Sequence, residues 1–235
     1  IATFHIVGAR DQRSSERFKS PVVHLRMDRR TAKRGECGRT NGGPQRKGSI
    51  TLVALELMRI GIDATTWWNG RGFGRFTRDL LQALFRQEGH QFVLFVDHPP
   101  CKEMLVPNVK VVRVETSAPV TVTAVSNGNR SLRDVLSFRA SVRRERLDLM
   151  YFPAVYSWFP VGPGIPNIVT FHDAIAERFP ALVMPNWRGR FFWNAKTWLA
   201  KRTASHIVTV SNAAADEIRT YLAVAPELIS VIYEA

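Results

Sequence analysis

From residue 58 onward the chain alternates short, mainly apolar runs with longer stretches in which apolar positions recur every three or four residues. The apolar runs are 59–64 (RIGIDA), 92–97 (FVLFVD), 109–114 (VKVVRV), 149–152, 167–171 (NIVTF), 206–210 (HIVTV) and 229–233. Continuous apolarity of this length is what a strand buried on both faces of a parallel sheet requires. Between the runs, residues 74–86 place Phe76, Leu80, Leu81 and Leu84 on one helical face. Ser131 is an N-cap for a helix running to about residue 146, a third helix spans 187–204, and a fourth spans 212–222 behind Ser211. Strand and helix in strict alternation predict an α/β fold, a Rossmann-like parallel sheet flanked by helices. There is no internal repeat.

Residues 1–48 have a different texture. Arg, Gly and Ser are scattered through them with neither a helical nor a strand period. The expected domain organisation is a basic extension over 1–57, disordered or translated from upstream of a true start at Met58, followed by one domain over 58–235. Charge sharpens this boundary. The net charge is +13, and residues 1–57 hold 12 Lys/Arg against 5 Asp/Glu, so +7 of it sits in the first quarter of the chain. A basic arm that binds nucleic acid is one reading of that surplus. The cations are not gathered into dense blocks, so no nucleic acid partner is expected.

The two cysteines, Cys37 and Cys101, are far apart, with no CxxC pair and no Cys/His spacing for zinc. A reducing, cytoplasmic compartment follows. No run approaches the roughly 18 apolar residues of a membrane span, and residues 50–57 (ITLVALEL) lack the small-residue site of a cleaved signal.

Three segments carry candidate chemistry. The first is NGRGFGRF, residues 69–76, a glycine loop between the first strand and first helix. Glycines there let a ligand approach the backbone, and amides at a helix start favour an anion such as a diphosphate. A simple flexible turn explains the same glycines. A dinucleotide site is a competitor, with Asp97 as its ribose-binding acid. Its spacing is wrong, because the glycines run G-x-G-x-G and residues 65–69, with Trp67 and Trp68, intervene after the strand. No Gly-Lys-Ser/Thr follows, which excludes a Walker loop.

The second segment is TFHD, residues 170–173, which ends a buried strand and places His172 and Asp173 at the edge where open α/β sheets bind ligands. His172 there is a donor for sugar hydroxyls or a reacting oxygen, or a simple strand-edge cap. The third is VTVSNAAAD, residues 208–216, whose Ser211 and Asp216 suit a helix start. In the helix before it, Arg188, Arg190, Lys196, Lys201 and Arg202 lie among Trp187, Phe191, Phe192, Trp193 and Trp198. Aromatics at that spacing are expected to form the core face, with the cations solvated; peripheral contact with a membrane is the other reading.

Taken in order, MRIGIDATTW, GRGFGRFTRDLLQAL, TFHDAIAERFP and KRTASHIVTVSNAAADEIRTYLAVAPELISVIYEA resemble the N-terminal, acceptor-side domain of family 4 glycosyltransferases of the GT-B fold. The resemblance covers essentially all of 58–235. It implies two Rossmann-like domains facing across a cleft, the first for a saccharide or lipid-linked acceptor and the second for a nucleoside diphosphate sugar. It implies no cofactor and no required metal, and retention of anomeric configuration. The glycine loop that approaches the donor diphosphate maps onto Gly72 and Gly74, and the histidine near the reacting carbon maps onto His172, with Asp173 beside it. The acceptor residues are not assigned, since the loop 154–164 has no readable code. The donor-binding domain is expected to be absent from these 235 residues, which alone are expected to transfer no sugar.

Overall fold

The computed structural model describes residues 6–9, 22–25, 57–117 and 131–233. The chain divides into two compact units, one within the first 56 residues and one running from Leu57 to Ala235. In the first, β1 (Ile6–Ala9) and β2 (Val22–Leu25) pair antiparallel, with Ile6 opposite Leu25 and Ala9 opposite Val22. The sequence showed no strand period there, because four residues of IVGA and VVHL are too few to establish one. Cys37 and the rest of the extension lie outside the described residues.

The second unit is built on a sheet of seven parallel strands in the order β5-β4-β3-β6-β7-β8-β9. These are β3 (Met58–Asp63), β4 (His90–Val96), β5 (Val109–Arg113), β6 (Leu149–Phe152), β7 (Asn167–Thr170), β8 (His206–Thr209) and β9 (Ile229–Val231). The helices are α1 (Gly72–Phe85), α2 (Leu132–Arg144), α3 (Ile175–Arg178), α4 (Pro180–Val183), α5 (Trp187–Thr203) and α6 (Asn212–Leu222). All seven apolar runs are strands, and the expected α/β, Rossmann-like arrangement is present. The first strand of this unit, β3, lies inside the sheet; β4 and β5 fill one side of it, and β6 to β9 then fill the other. The order therefore reverses between β3 and β6, where Ile60 pairs with Leu149 and Ile62 with Tyr151. Ligands of open α/β sheets bind beyond the carboxyl ends of strands at such a reversal.

The local signals account for the helix ends. Ser131 Oγ accepts from the Asp134 amide at 3.1 Å, and Ser211 Oγ accepts from the Ala214 amide at 3.1 Å, so both expected N-caps are formed. Helix α1 begins two residues before the expected position, at Gly72, since its face is set by Phe76, Leu80, Leu81 and Leu84, all buried. Ala223, just after α6, has φ of 50°, a left-handed exit that a glycine usually supplies, and Lys201 Nζ donates to the Leu222 carbonyl there.

Phe95, Phe138, Phe152, Phe159 and Phe171 are buried in one core cluster with Val93, Met150, Val169, Ile207 and Ile218. Each such ring contributes about 1.5–3 kcal/mol by leaving water. Residues 154–164, in which no code was legible, supply Trp158, Phe159 and Val161 to this cluster. That loop is folded inward as core, with Tyr156 and Pro160 its more accessible members on the near side of Val161. At the amino edge of the sheet, the Arg59 amide donates to Asp148, and Arg59 and Lys110 both pair with Glu145, joining β3, β5 and the end of α2. This edge is remote from the strand ends that bind ligands.

Candidate functional site

The first wall of the site is the turn between β3 and α1. Asp63 is fully buried, and its carboxylate accepts from both the amide and the hydroxyl of Thr65, at 3.1 and 2.7 Å. That turn starts a single 3-10 turn, Thr65–Trp68, in which Trp67 is buried. The inserted residues that argued against a dinucleotide loop are thus a folded element. Thr77 Oγ1 donates to the Phe73 carbonyl at 2.7 Å, so its contact with Thr66 Oγ1 at 2.8 Å has Thr66 as donor. Arg78 holds the carbonyls of Trp67 and Asn69, and Asn69 Oδ1 accepts from the Arg71 amide. The loop is held by its own hydrogen bonds, with no ligand needed to shape it.

The two glycines assigned to the diphosphate occupy different surroundings. A Cβ on Gly74 would lie 2.0 Å from the Asn69 carbonyl oxygen, whereas nothing lies within 4 Å of a Cβ on Gly72 or Gly70. Gly74 is needed by the protein's own packing. Gly72, the first residue of α1 after the extended Arg71, is the one that opens onto free space.

The second wall is the carboxyl edge of β6 and β7. His172 follows β7 by two residues, and its Nε2 lies 2.9 Å from the Pro153 carbonyl oxygen beyond β6. A carbonyl only accepts, so Nε2 carries the proton and Nδ1 is the acceptor nitrogen of the neutral ring. The ring meets Phe76 edge-on, with centroids 4.9 Å apart, and Phe73 at 6.3 Å. His172 is thereby fixed against the first turns of α1. The family resemblance placed the glycine loop and the histidine around one donor, and the fold brings the first turns of α1 and His172 together at the sheet reversal.

Asp173 is also at this edge, with one oxygen committed: Oδ1 accepts from the Ile175 amide at 3.0 Å and starts α3. Three aromatic residues that the sequence did not single out as a group extend the wall. Phe73 stacks on Tyr156, with centroids 5.5 Å apart, and Tyr156 packs on Trp193 at 5.2 Å. Trp193 Nε1 donates to Glu177 Oε1 at 2.8 Å, and Lys196 Nζ donates to the Tyr156 carbonyl. Burial pushes the Tyr156 hydroxyl up to about 12, with the negative charges of Asp173 and Glu177 adding to the effect and Arg71 opposing it. Burial likewise raises Glu177, partly offset by the Trp193 hydrogen bond. No sequence period marks this cluster, because its members come from α1, the 154–164 loop, α3 and α5.

The remaining candidates have local roles. Asp97, the acid a dinucleotide site would need, has a fully buried side chain 2.8 Å from His98 Nδ1, and His98 stacks on Trp68. Ser211 caps α6, while Asp216 pairs with Arg219 and Glu217 with Arg178. The expectation for α5 needs correcting. Its inward face is Trp193, Thr197 and Ala200, whereas Trp187, Phe191, Phe192 and Trp198 are all more than half exposed. No element among the described residues covers those rings. Among the described residues, no three His, Cys, Asp or Glu side chains are grouped to hold a metal ion, and no helix is long and apolar enough to cross a membrane.

A seven-stranded doubly wound sheet with a glycine loop and a histidine meeting at its reversal point agrees with the family match: the model of Glycosyltransferase Family 4 matches residues 70–235, and the chain belongs to that family. Among solved structures it is similar to HepE (Alr3699) of Anabaena in complex with UDP and glucose, at 13% identity and TM-score 0.47, over 77% of this chain and 45% of that one. It is similar to UGT2 of Phytolacca americana complexed with UDP-2-fluoro-glucose and pterostilbene, at 10% identity and TM-score 0.49, over 76% and 54%. It is also similar to WaaG, a glycosyltransferase involved in lipopolysaccharide biosynthesis, at 11% identity and TM-score 0.47, over 74% and 44%. The chain spans about half the length of these structures. No curated protein sequence matches it.

Proposed function

We propose that this chain is the acceptor-side half of a retaining glycosyltransferase that moves a sugar from a UDP- or GDP-type donor to a saccharide or lipid-linked acceptor in the cytoplasm. The observation that carries the reading is the meeting of α1's first turn and His172 at the β3/β6 reversal, over the Pro153 carbonyl.

In this reading the open backbone at Gly72 and the positive end of α1 receive the donor diphosphate and stabilise it as it leaves. Held to the Pro153 carbonyl through Nε2 and packed against Phe76, the imidazole of His172 forms the edge of the site against which the donor sugar is oriented. Asp173 orients the chain after His172 through its cap on α3. Gly74, formerly grouped with Gly72, keeps α1 close to Asn69 and so holds the open amides in place. The acceptor hydroxyl attacks on the face from which the diphosphate departs, giving retention. Asp173 and Glu177 at this edge are each hydrogen-bonded to their own surroundings rather than facing each other across a bond to be cut. Rate enhancement therefore rests on charge stabilisation and orientation, with no metal or cofactor required. The nucleoside and most of the diphosphate are held by a second Rossmann-like domain.

Sugar transfer from labelled UDP- and GDP-sugars tests this, using the 235-residue chain alone and the chain joined to a donor-binding domain of the same family. The chain alone is expected to transfer none, and the joined protein to transfer in a manner lost on His172→Ala. Transfer by the chain alone would refute the half-enzyme reading. Undiminished transfer by the His172→Ala protein would remove the site.

A further inference from the structure

The outward face of α5 is apolar where a helix on a folded domain is normally polar. Trp187 is 65% exposed, Phe191 64%, Phe192 54% and Trp198 55%. At 100° per residue, positions 187, 191 and 198 fall within about 40° of one another, so three of these rings form one stripe. The preceding short helices continue the apolar surface, with Leu182 81% exposed and Ile175, Phe179 and Val183 near half. The Trp193 to Glu177 hydrogen bond fastens α5 to α3. Exposed aromatic and aliphatic side chains gathered on one helix face mark an interaction surface.

Charge identifies the partner. Residues 174–203 contain six cations, Arg178, Arg188, Arg190, Lys196, Lys201 and Arg202, and one acid, Glu177; Glu177 is tied to Trp193, and Arg178 is paired with Glu217 of α6. Three of the cations lie over aromatic rings of the same surface: Arg178 over Phe179, Arg188 over Trp187 and Arg202 over Trp198. Aromatic rings beside arginines suit the boundary between acyl chains and anionic headgroups. A symmetric pairing with a second copy would set these cations against themselves. We infer that the α3–α5 surface docks on an anionic lipid bilayer, with Trp187, Phe191 and Trp198 entering the interface and Arg188, Arg190 and Arg202 contacting headgroups. The surface begins three residues after His172, so docking holds the edge of the proposed site beside the membrane. This deepens the proposed function toward a lipid-linked acceptor, yet vesicle binding needs no donor and its outcome stands apart from any transfer assay.

The experiment is sedimentation of the full chain with phosphatidylcholine vesicles, with and without about one-third phosphatidylglycerol. Wild type is expected to bind the anionic vesicles, to bind the neutral ones far less, and to be released by about 0.5 M salt. Replacing Trp187, Phe191 and Trp198 by Ser keeps every charge and is expected to weaken binding at least ~10-fold. Circular dichroism should be unchanged, because all three rings are exposed. If that protein proves misfolded, Arg188→Glu with Arg190→Glu is the second variant, with the same expected loss. Undiminished binding by either folded variant overturns the inference, since attraction then comes from elsewhere in the basic chain. So does failure of wild type to bind anionic vesicles. A wild-type dimer that the Ser variant makes monomeric overturns it too, by assigning the surface to a second copy.

Discussion

The carbonyl oxygen of Asn69 stands 2.0 Å from where a Cβ on Gly74 would be, while the space around Gly72, two residues earlier, is empty to 4 Å. Two glycines of one motif are thus required for different reasons. Gly74→Ala forces α1 away from the 65–69 turn and should cost about 1–3 kcal/mol, near the upper end because the obstacle is backbone. Gly72→Ala should leave stability unchanged or raise it by up to about 1 kcal/mol, since the residue has an ordinary helical backbone. Urea unfolding midpoints distinguish the two. In the transfer assay the order reverses in kind: the Gly72 variant should be stable yet bind donor several-fold more weakly. Equal destabilisation by both would show that the loop is not held by the Asn69 contact.

The contrast shows what the sequence could carry. Period and apolarity located every strand of the main sheet, and Ser131 and Ser211 announced their helices, because these signals are local. The placement of His172 and Asp173 just after a strand was legible for the same reason, whereas the emphasis on Gly72 came from the family resemblance. What could not be read was which groups meet. His172 to Pro153, Phe73 to Tyr156 and Trp193 to Glu177 all join segments from different strands, and only the sheet order sets those distances. The α5 face was misread for a related reason. Trp and Phe at helical spacing look like core, and only the absence of a covering element among the described residues shows that they face outward.

His172→Gln separates the two nitrogens of the imidazole. The Gln side-chain NH2 can still donate to the Pro153 carbonyl, so folding is expected to survive, with a thermal midpoint within a few degrees of wild type. The imidazole ring itself is lost. Transfer by the two-domain protein should fall by about 10²-fold or more, mainly in kcat. A variant as active as wild type would show that His172 serves only to pin β7 to β6.

Glu145 takes hydrogen bonds from Arg59 Nη2 and Lys110 Nζ at the sheet edge away from the site. Burial pushes its carboxyl up, but the bonds and charges of Lys110 and Arg59 outweigh this and hold it below the usual carboxylate range. A depressed native value means the unfolded chain binds the proton more readily. The contribution is therefore present above the ordinary carboxylate range and is lost as pH falls through the native value. Glu145→Gln should destabilise by about 1–2 kcal/mol at neutral pH, with the difference shrinking in acid. Transfer activity measured well below the unfolding temperature should be unaffected.

Glu177 has the opposite sign. Burial raises its carboxyl above the ordinary range, with the Trp193 Nε1 bond a smaller counterweight and Asp173 adding to the rise. Here the native state binds the proton more readily than the unfolded chain, so stability is lost as pH rises from the unfolded value through the native one. Glu177→Gln keeps an oxygen to accept from Trp193 and removes the buried charge. It should stabilise the protein at pH above the native value and confer no gain below the ordinary carboxylate range. Urea unfolding of both proteins across that range measures the difference directly. A gain of the same size at every pH would mean that the amide acts through packing, and the ionised carboxylate would then not be the source of strain beside Tyr156.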